Sequence, residues 1–256
     1  MSRASSAVDW KGWLRRWDEQ QESFNPDRER RFSTMFDVLE ASVGRRFTAL
    51  DLGSGPGSLS ARLLRRFPRG RSVAVDYDPV SLRVGQGALG SSGGRLQWVD
   101  ARLGHPGWTE RLPRRRYDAA LSTTALHWLT APALGRLYRD LHGLLRPGGV
   151  LLNGDHLPWE SRQRRLSRLA GSVRHVRFRG ASLNSEWAGW KKWWEDAERV
   201  PELRPLFRER EIRQSQHPKH GDLTLDFHCR TLRRAGFREV AVVWQDVENR
   251  VLFAIR

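Results

Sequence analysis

Four residues of this 256-residue chain have a spacing that speaks of chemistry: Asp51, Gly53, Gly55 and Gly57, within Ala49-Leu50-Asp51-Leu52-Gly53-Ser54-Gly55-Pro56-Gly57-Ser58-Leu59. An apolar run ends in an acid, glycines follow at alternate positions, and a helical pattern begins. Only residues without a Cβ turn this sharply and let a ligand lie against the backbone. The spacing differs from the Gly-x-Gly-x-x-Gly of dinucleotide sites. Two further acids close apolar runs: Asp76, and Asp100 in Gln97-Trp98-Val99-Asp100-Ala101. A carboxylate placed like Asp76 can accept both hydroxyls of a ribose through charge-assisted hydrogen bonds. Two histidines stand near later run ends, His127 in Ala125-Leu126-His127-Trp128-Leu129 and His156 in Asn153-Gly154-Asp155-His156. An imidazole titrates near neutrality and can take a proton from a hydroxyl or ammonium.

These elements must be strands and helices in alternation. Phe47–Leu52, Ser72–Asp76, Leu96–Asp100, Tyr117–Thr123 and Val150–Asn153 read as strands, and Ser58–Phe67 and Pro132–Leu145 as helices. A further helix starts at Asp78-Pro79, and the Gly/Ser-rich piece Gly85–Gly94 reads as a loop. Repeated βα units make an open parallel sheet with helices on both faces. After a helix at Leu223–Ala235, Glu239–Gln245 and Arg250–Ile255 are separated by so few residues that they must pair antiparallel. Ahead of the sheet, Asp9 can cap a helix carrying Trp10, Trp13, Leu14 and Trp17 on one face. Asn25-Pro26 reads as cap and first position of a second helix, with a stripe of Phe32, Met35, Phe36, Leu39 and Val43.

The pattern resembles the class I S-adenosylmethionine (SAM)-dependent methyltransferases over roughly residues 47–156 and 223–256. The resemblance implies an α/β, Rossmann-like fold: a seven-stranded, mostly parallel sheet with an antiparallel last strand, helices on both faces and a helical lid insert. It implies SAM as cofactor and S-adenosyl-L-homocysteine as product. The backbone of Gly53, Ser54, Gly55 and Gly57 would pack on the methionine part and ribose, and Asp51 would help hold the ammonium, directly or through water. Asp76 would bind the ribose, Tyr77 would lie against the adenine, Asp100 would accept from its amino group and the Ala101 amide would contact the ring. Thr123, at the fourth strand's end, would sit beside the sulfonium. Ala-Leu-His-Trp-Leu looks like the small-molecule branch related to trans-aconitate methyltransferase. By that likeness His127 and Trp128 line the acceptor site; His156, beyond the fifth strand's end where open parallel sheets bind ligands, is a candidate base. The Asn/Asp-Pro-Pro-Tyr/Phe/Trp motif of adenine and glutamine aminomethylases is absent, as is the Pro-Cys nucleophile of C5-pyrimidine enzymes; Cys229 lies in the late helix.

Three parts are expected: an N-terminal helical flap (1–45), the SAM-binding domain (46–156 and 223–256) and a helical insert (157–222) that closes the acceptor side. The insert's Trp187, Trp190 and Trp194 share a helical face. The leading expectation is in-line methyl transfer to O, N or C of a small molecule. The formal charge of +16 keeps a tRNA or rRNA methyltransferase as an alternative. A SAM-binding regulator without turnover is a third. Against nucleic acid, the 41 arginines are scattered and outnumber four lysines. No apolar run is long enough to span a membrane and no signal-peptide core is visible, so a cytoplasmic protein without a membrane partner is expected. One cysteine excludes an internal disulfide. His217 and His220 lack nearby carboxylates at ligand spacing, and no metal is expected. The oligomeric state is left open.

Overall fold

The computed structural model describes residues 7–177, 183–215 and 223–256. Its strands are β1 (Thr48–Leu52), β2 (Arg71–Asp76), β3 (Leu96–Asp100), β4 (Tyr117–Thr123), β5 (Leu145–His156), β6 (Glu239–Asp246) and β7 (Asn249–Ile255). They form one sheet in the order β3-β2-β1-β4-β5-β7-β6. Six strands run parallel, and β7 is antiparallel to both neighbours. This is the sheet expected from the sequence. Asp76 and Asp100 are register partners, so the two acids reach the same edge.

Alternation along β1 sorts its side chains between two layers. Ala49 joins Phe32, Met35, Phe36, Leu59 and Leu63, from α2 (Arg28–Val43) and α3 (Ser58–Arg66). Leu50 and Leu52 join Leu134, Leu137, Tyr138 and Leu141 of α5 (Ala131–Leu144) and Leu232 of α9 (Leu225–Arg234). A strand buried on both faces reads as an apolar run, which is why the five parallel strands were visible.

The structure corrects three details. The helix after Asp78, α4 (Pro79–Leu89), runs through Gly85 and Gly87, which are not loop residues. A Cβ at Gly85 would strike the Trp98 ring, and one at Gly87 the Trp10 ring; close packing, not a turn, demands glycine there. The second helix starts after Asp27, which makes no side-chain cap bond, and Asn25 instead ends α1 (Trp10–Phe24). The fifth strand starts at Leu145, with a register irregularity before Val150 that accommodates Pro147–Gly149.

The segment after β5 is helical: α6 (Arg164–Arg177), α7 (Leu183–Glu198) and α8 (Arg204–Ser215). α1 packs on α4 and α7, and α8 packs on α4. The joint is aromatic. Trp193, which the stripe from the sequence left out, is 2% exposed and meets Trp13 and Trp17 edge-on at 5.5 and 5.0 Å. Its Nε1 donates to the Trp13 carbonyl at 3.3 Å, and an Arg16–Asp196 ion pair lies alongside. Trp190 packs edge-on against Trp194; the Trp187 side chain, His217 and His220 lie outside the described residues. No helix among the described residues is long and apolar enough to cross a membrane.

Candidate active site

A cavity of about 710 Å³ opens where the parallel strands end, the edge at which open α/β sheets bind ligands. Gly53, Ser54 and Gly55 bring the β1–α3 turn to it, and Thr123, Thr124, His127 and Trp128 follow β4. His156 comes from the end of β5; Val247 and Asn249 come from the hairpin of β6 and β7. Trp17, Asn25 and Arg28 close it from α1 and α2, and Ala170 and Val173 from α6. Thr124 and Val247 hold φ of 48° and 54°, strained values for β-branched residues. Such strain concentrates at sites that the surrounding fold over-determines.

The glycine turn bends as its spacing requires. Gly53, Gly55 and Gly57 have φ of 66°, 53° and 87°. Ser54 and Gly55 present backbone to the cavity beneath Trp17. Gly57 faces away, where a Cβ would meet Trp98 and Leu89.

Asp51 does not reach the cavity. Alternation turns it toward α3, where its carboxylate accepts from the Ser60 amide at 3.1 Å and the Ser60 hydroxyl at 2.6 Å. Burial pushes its pKa up to about 7, against the lowering effect of those two bonds. It holds helix α3 beneath the turn.

Asp76 accepts from the amides of Gly55 (2.7 Å), Tyr77 (2.7 Å) and Asp78 (2.8 Å). One carboxylate thus ties the glycine turn to the end of β2. Burial raises its pKa to about 6, opposed by those amides. Asp100 is engaged by α8: Arg213 donates to both its oxygens at 2.8 Å and to the Tyr77 carbonyl at 2.7 Å. The same guanidinium lies 4.6 Å from the Tyr77 ring centre. Arg210, one turn earlier, pairs with Asp78 at 2.6 Å and lies over Trp194. Ala101 is buried and its amide donates to the Asp76 carbonyl. Arg213 and Arg210 occupy the edge that Tyr77, Asp100 and Ala101 were expected to offer to an adenine.

Near the cavity floor sits a charge network of which the sequence showed only fragments. Asp155 is fully buried and receives His127 Nδ1 at 2.9 Å. Burial would raise the Asp155 carboxyl, but His127 and Arg31 hold it below the usual range. An ionised carboxylate only accepts, so Nδ1 of His127 carries the proton and Nε2 is the basic nitrogen. Arg31, also fully buried, donates to Thr123 Oγ1 at 2.8 Å and to Asn249 Oδ1 at 2.9 Å. Burial lowers its pKa to about 10, so it stays charged at neutrality. His156 Nε2 donates to Asn25 Oδ1 at 2.8 Å. Burial takes its pKa down to about 4, which makes it a neutral wall of the cavity and a poor base.

Asp155, Asn249 and Arg213 escaped the sequence reading. Asp155 stood beside His156 without any spacing to join it to His127. Asn249 is brought in by strand pairing, and Arg213 is one of many arginines in a motif-free segment. Among the described residues no cluster of His, Cys, Asp or Glu could hold a metal ion.

A Rossmann-like sheet with an acid–glycine turn and a second acid ending β2 defines the α/β class of the fold, and the relatives narrow it. Residues 49–149 match the methyltransferase domain family. A trans-aconitate 2-methyltransferase of Azoarcus sp. (strain BH72) is 32% identical over 136 residues, covering 53% of this chain and 49% of the relative. An uncharacterized methyltransferase of Mycobacterium bovis is 39% identical over 104 residues, covering 40% and 47%. The chain thus spans about half the length of the curated relatives it matches. The fold is shared with human N-acetylserotonin methyltransferase solved with SAM (TM-score 0.52, 16% identity, 88% of this chain and 51% of that one). It is also shared with an O-methyltransferase family protein of Burkholderia thailandensis (TM-score 0.57, 18% identity, 99% and 65%). Residues 49–149 thus match a methyltransferase domain, on a fold shared with these SAM-dependent enzymes.

Proposed function

We propose that this protein transfers a methyl group from SAM to a hydroxyl oxygen of a small molecule, with His127 as the base and Asp155 as the residue that positions it. One observation carries this reading: a histidine oriented by a buried carboxylate faces the same cavity as the glycine turn. When bound, SAM supplies an electrophilic methyl on a sulfonium. The residues at hand fit its methionine half, because Gly53, Ser54 and Gly55 line the cavity and the two glycines put no side chain into it. Asp76, which accepts from the Gly55 amide, would hold the ribose, and Asp100 would have to exchange its pair with Arg213 for the adenine amino group.

In-line transfer needs the acceptor oxygen held against the methyl, and orientation supplies much of the rate. His127 Nε2 would take the hydroxyl proton as the acceptor oxygen gains the methyl that SAM would supply. Asp155 then faces the imidazolium it has positioned. Trp17, Trp128 and Trp190 add aromatic faces to the cavity, suited to a flat acceptor. The helices α1 and α6–α8 act as flap and lid that exclude water. The trans-aconitate 2-methyltransferases among the relatives favour a small acceptor, although a carboxylate would need no base.

Calorimetry with SAM, followed by single-turnover assays over a panel of phenols, alcohols, carboxylates and tRNA, tests the reading. His127→Ala is expected to lower kcat for a hydroxyl acceptor by about 10²–10⁴-fold with SAM affinity unchanged. Equal turnover in parent and variant defeats the base; absence of SAM binding by the parent defeats the whole reading.

A further inference from the structure

Helix α6 presents a surface for which the methyl-transfer reading has no use. Between Glu160 and Glu186 the chain has seven arginines and no acid. Within α6, Leu166, Leu169 and Val176 recur at helical spacing and form one stripe. Ala170 alone of this helix is buried, while Leu166, Leu169 and Val176 are 37%, 56% and 55% exposed. Apolar side chains are usually the first to be covered, so a stripe left outward calls for a partner.

Its orientation is fixed from the other side. Arg174 pairs with Glu248 and Arg177 with Asp246 on the β6–β7 hairpin. Ala170 and Val173 line the cavity. The inner edge is therefore committed, and the stripe lies between it and a basic edge of Arg164, Arg165 and Arg168. Among the described residues these three make no ion pair.

We propose that α6 seats this protein on an anionic lipid bilayer surface, with the stripe in the acyl boundary and Arg164, Arg165 and Arg168 at the headgroups. Charge selects the partner. Two copies meeting through α6 would oppose like charges, on a chain that already carries +16. A nucleic acid would satisfy the arginines but gain nothing from Leu and Val, which offer bases no stacking face. A surface that is anionic outside and hydrocarbon beneath satisfies both edges of the helix at once. The absence of a spanning helix does not bear on this, since α6 would lie in the plane of the surface. The seat lies at the rim of the cavity and is independent of whether methyl transfer occurs there.

Cosedimentation of the full chain with phosphatidylcholine vesicles, with and without about one-third phosphatidylglycerol, tests the proposal. The expected result is binding to the anionic vesicles only, weakened at least about tenfold by joint Leu169→Glu and Val176→Glu substitution. Val243→Glu, at an exposed position on β6, serves as control and should bind as the parent does. Circular dichroism and thermal melts establish that the variants are folded; should the double variant unfold, Leu169→Gln alone is read instead. No binding by the parent overturns the proposal. So does vesicle binding that the α6 substitutions leave intact, which would be charge alone. Parent binding to tRNA in preference to vesicles, or a dimer that the same substitutions dissolve, would give the face to another partner and also overturn it.

Discussion

The strand-end wall of the cavity and its helical cover are held by different means. At the strand ends, backbone does the holding: Asp76 gathers three amides, Asp51 fastens α3, and the glycine turn follows β1 directly. In the cover, side chains do it. Trp13, Trp17, Trp193 and Trp194 lock α1 to α7, and arginines of α8 reach back to Asp78 and Asp100. Backbone contacts constrain sequence by position. Aromatic and ionic contacts can be made by many arrangements, so they leave no spacing rule.

The difference can be tested by breaking each wall in turn. Asp76→Ala should weaken SAM binding about 100-fold, near 3 kcal/mol, through loss of a charge-assisted bond to the ribose and of the three amide bonds that hold the glycine turn. Calorimetry reads this, and a change under about threefold would place the nucleoside elsewhere. Trp193→Ala should cost the cover about 3–5 kcal/mol, as for other large aromatic truncations. If the cover is a separate cooperative unit, hydrogen exchange will rise in α1 and α7 while β1 and β4 keep their protection. Uniform acceleration would show one unit instead.

Smaller effects sharpen the contact between the walls. Arg213→Ala should tighten SAM binding a few-fold, because Asp100 is then ready for the adenine. Added salt should tighten SAM binding to the parent and leave the variant nearly unaffected. Weaker binding by the variant would instead make Arg213 part of the cofactor site.

The smallest expected effect is in pH. His156 and His228 both fall to about 4 on folding. Over pH 4–6.5 the unfolded chain binds more protons at these two, so their contribution to stability grows with pH. Asp51 and Asp76 rise to about 7 and about 6. There the folded chain binds more protons, and stability falls as pH rises through that range. The two pairs oppose each other, and the parent's stability should be nearly flat from about pH 4.5 to 6. With His156→Gln and His228→Gln together, denaturant titrations should show stability falling over the same interval. A parent curve that rises steeply would mean that the carboxylates are not held protonated.

What the sequence made legible follows the same division. The β1–α3 turn, the acids ending β2 and β3 and the antiparallel hairpin could be read because strand alternation and glycine geometry are local rules. Gly85 and Gly87 misled because their reason, the Trp98 and Trp10 rings, lies far away in the chain. Trp193 was passed over for its neighbours at regular helical spacing, since the partner helix α1 decides which face of α7 is inward. Asp155 became visible as His127's partner only when β5 was laid beside β4.

Arg31 has one more consequence, for how the molecule assembles. Its bond to Asn249 joins residues 218 positions apart, and Asn249 opens β7, which lies between β5 and β6. Contacts of such separation carry a large loop-closure cost and form late in folding. The glycine turn needs only β1, α3 and β2, all within the first third of the chain. During synthesis the residues of this turn emerge long before Asn249, so the turn can form before the cavity has a floor.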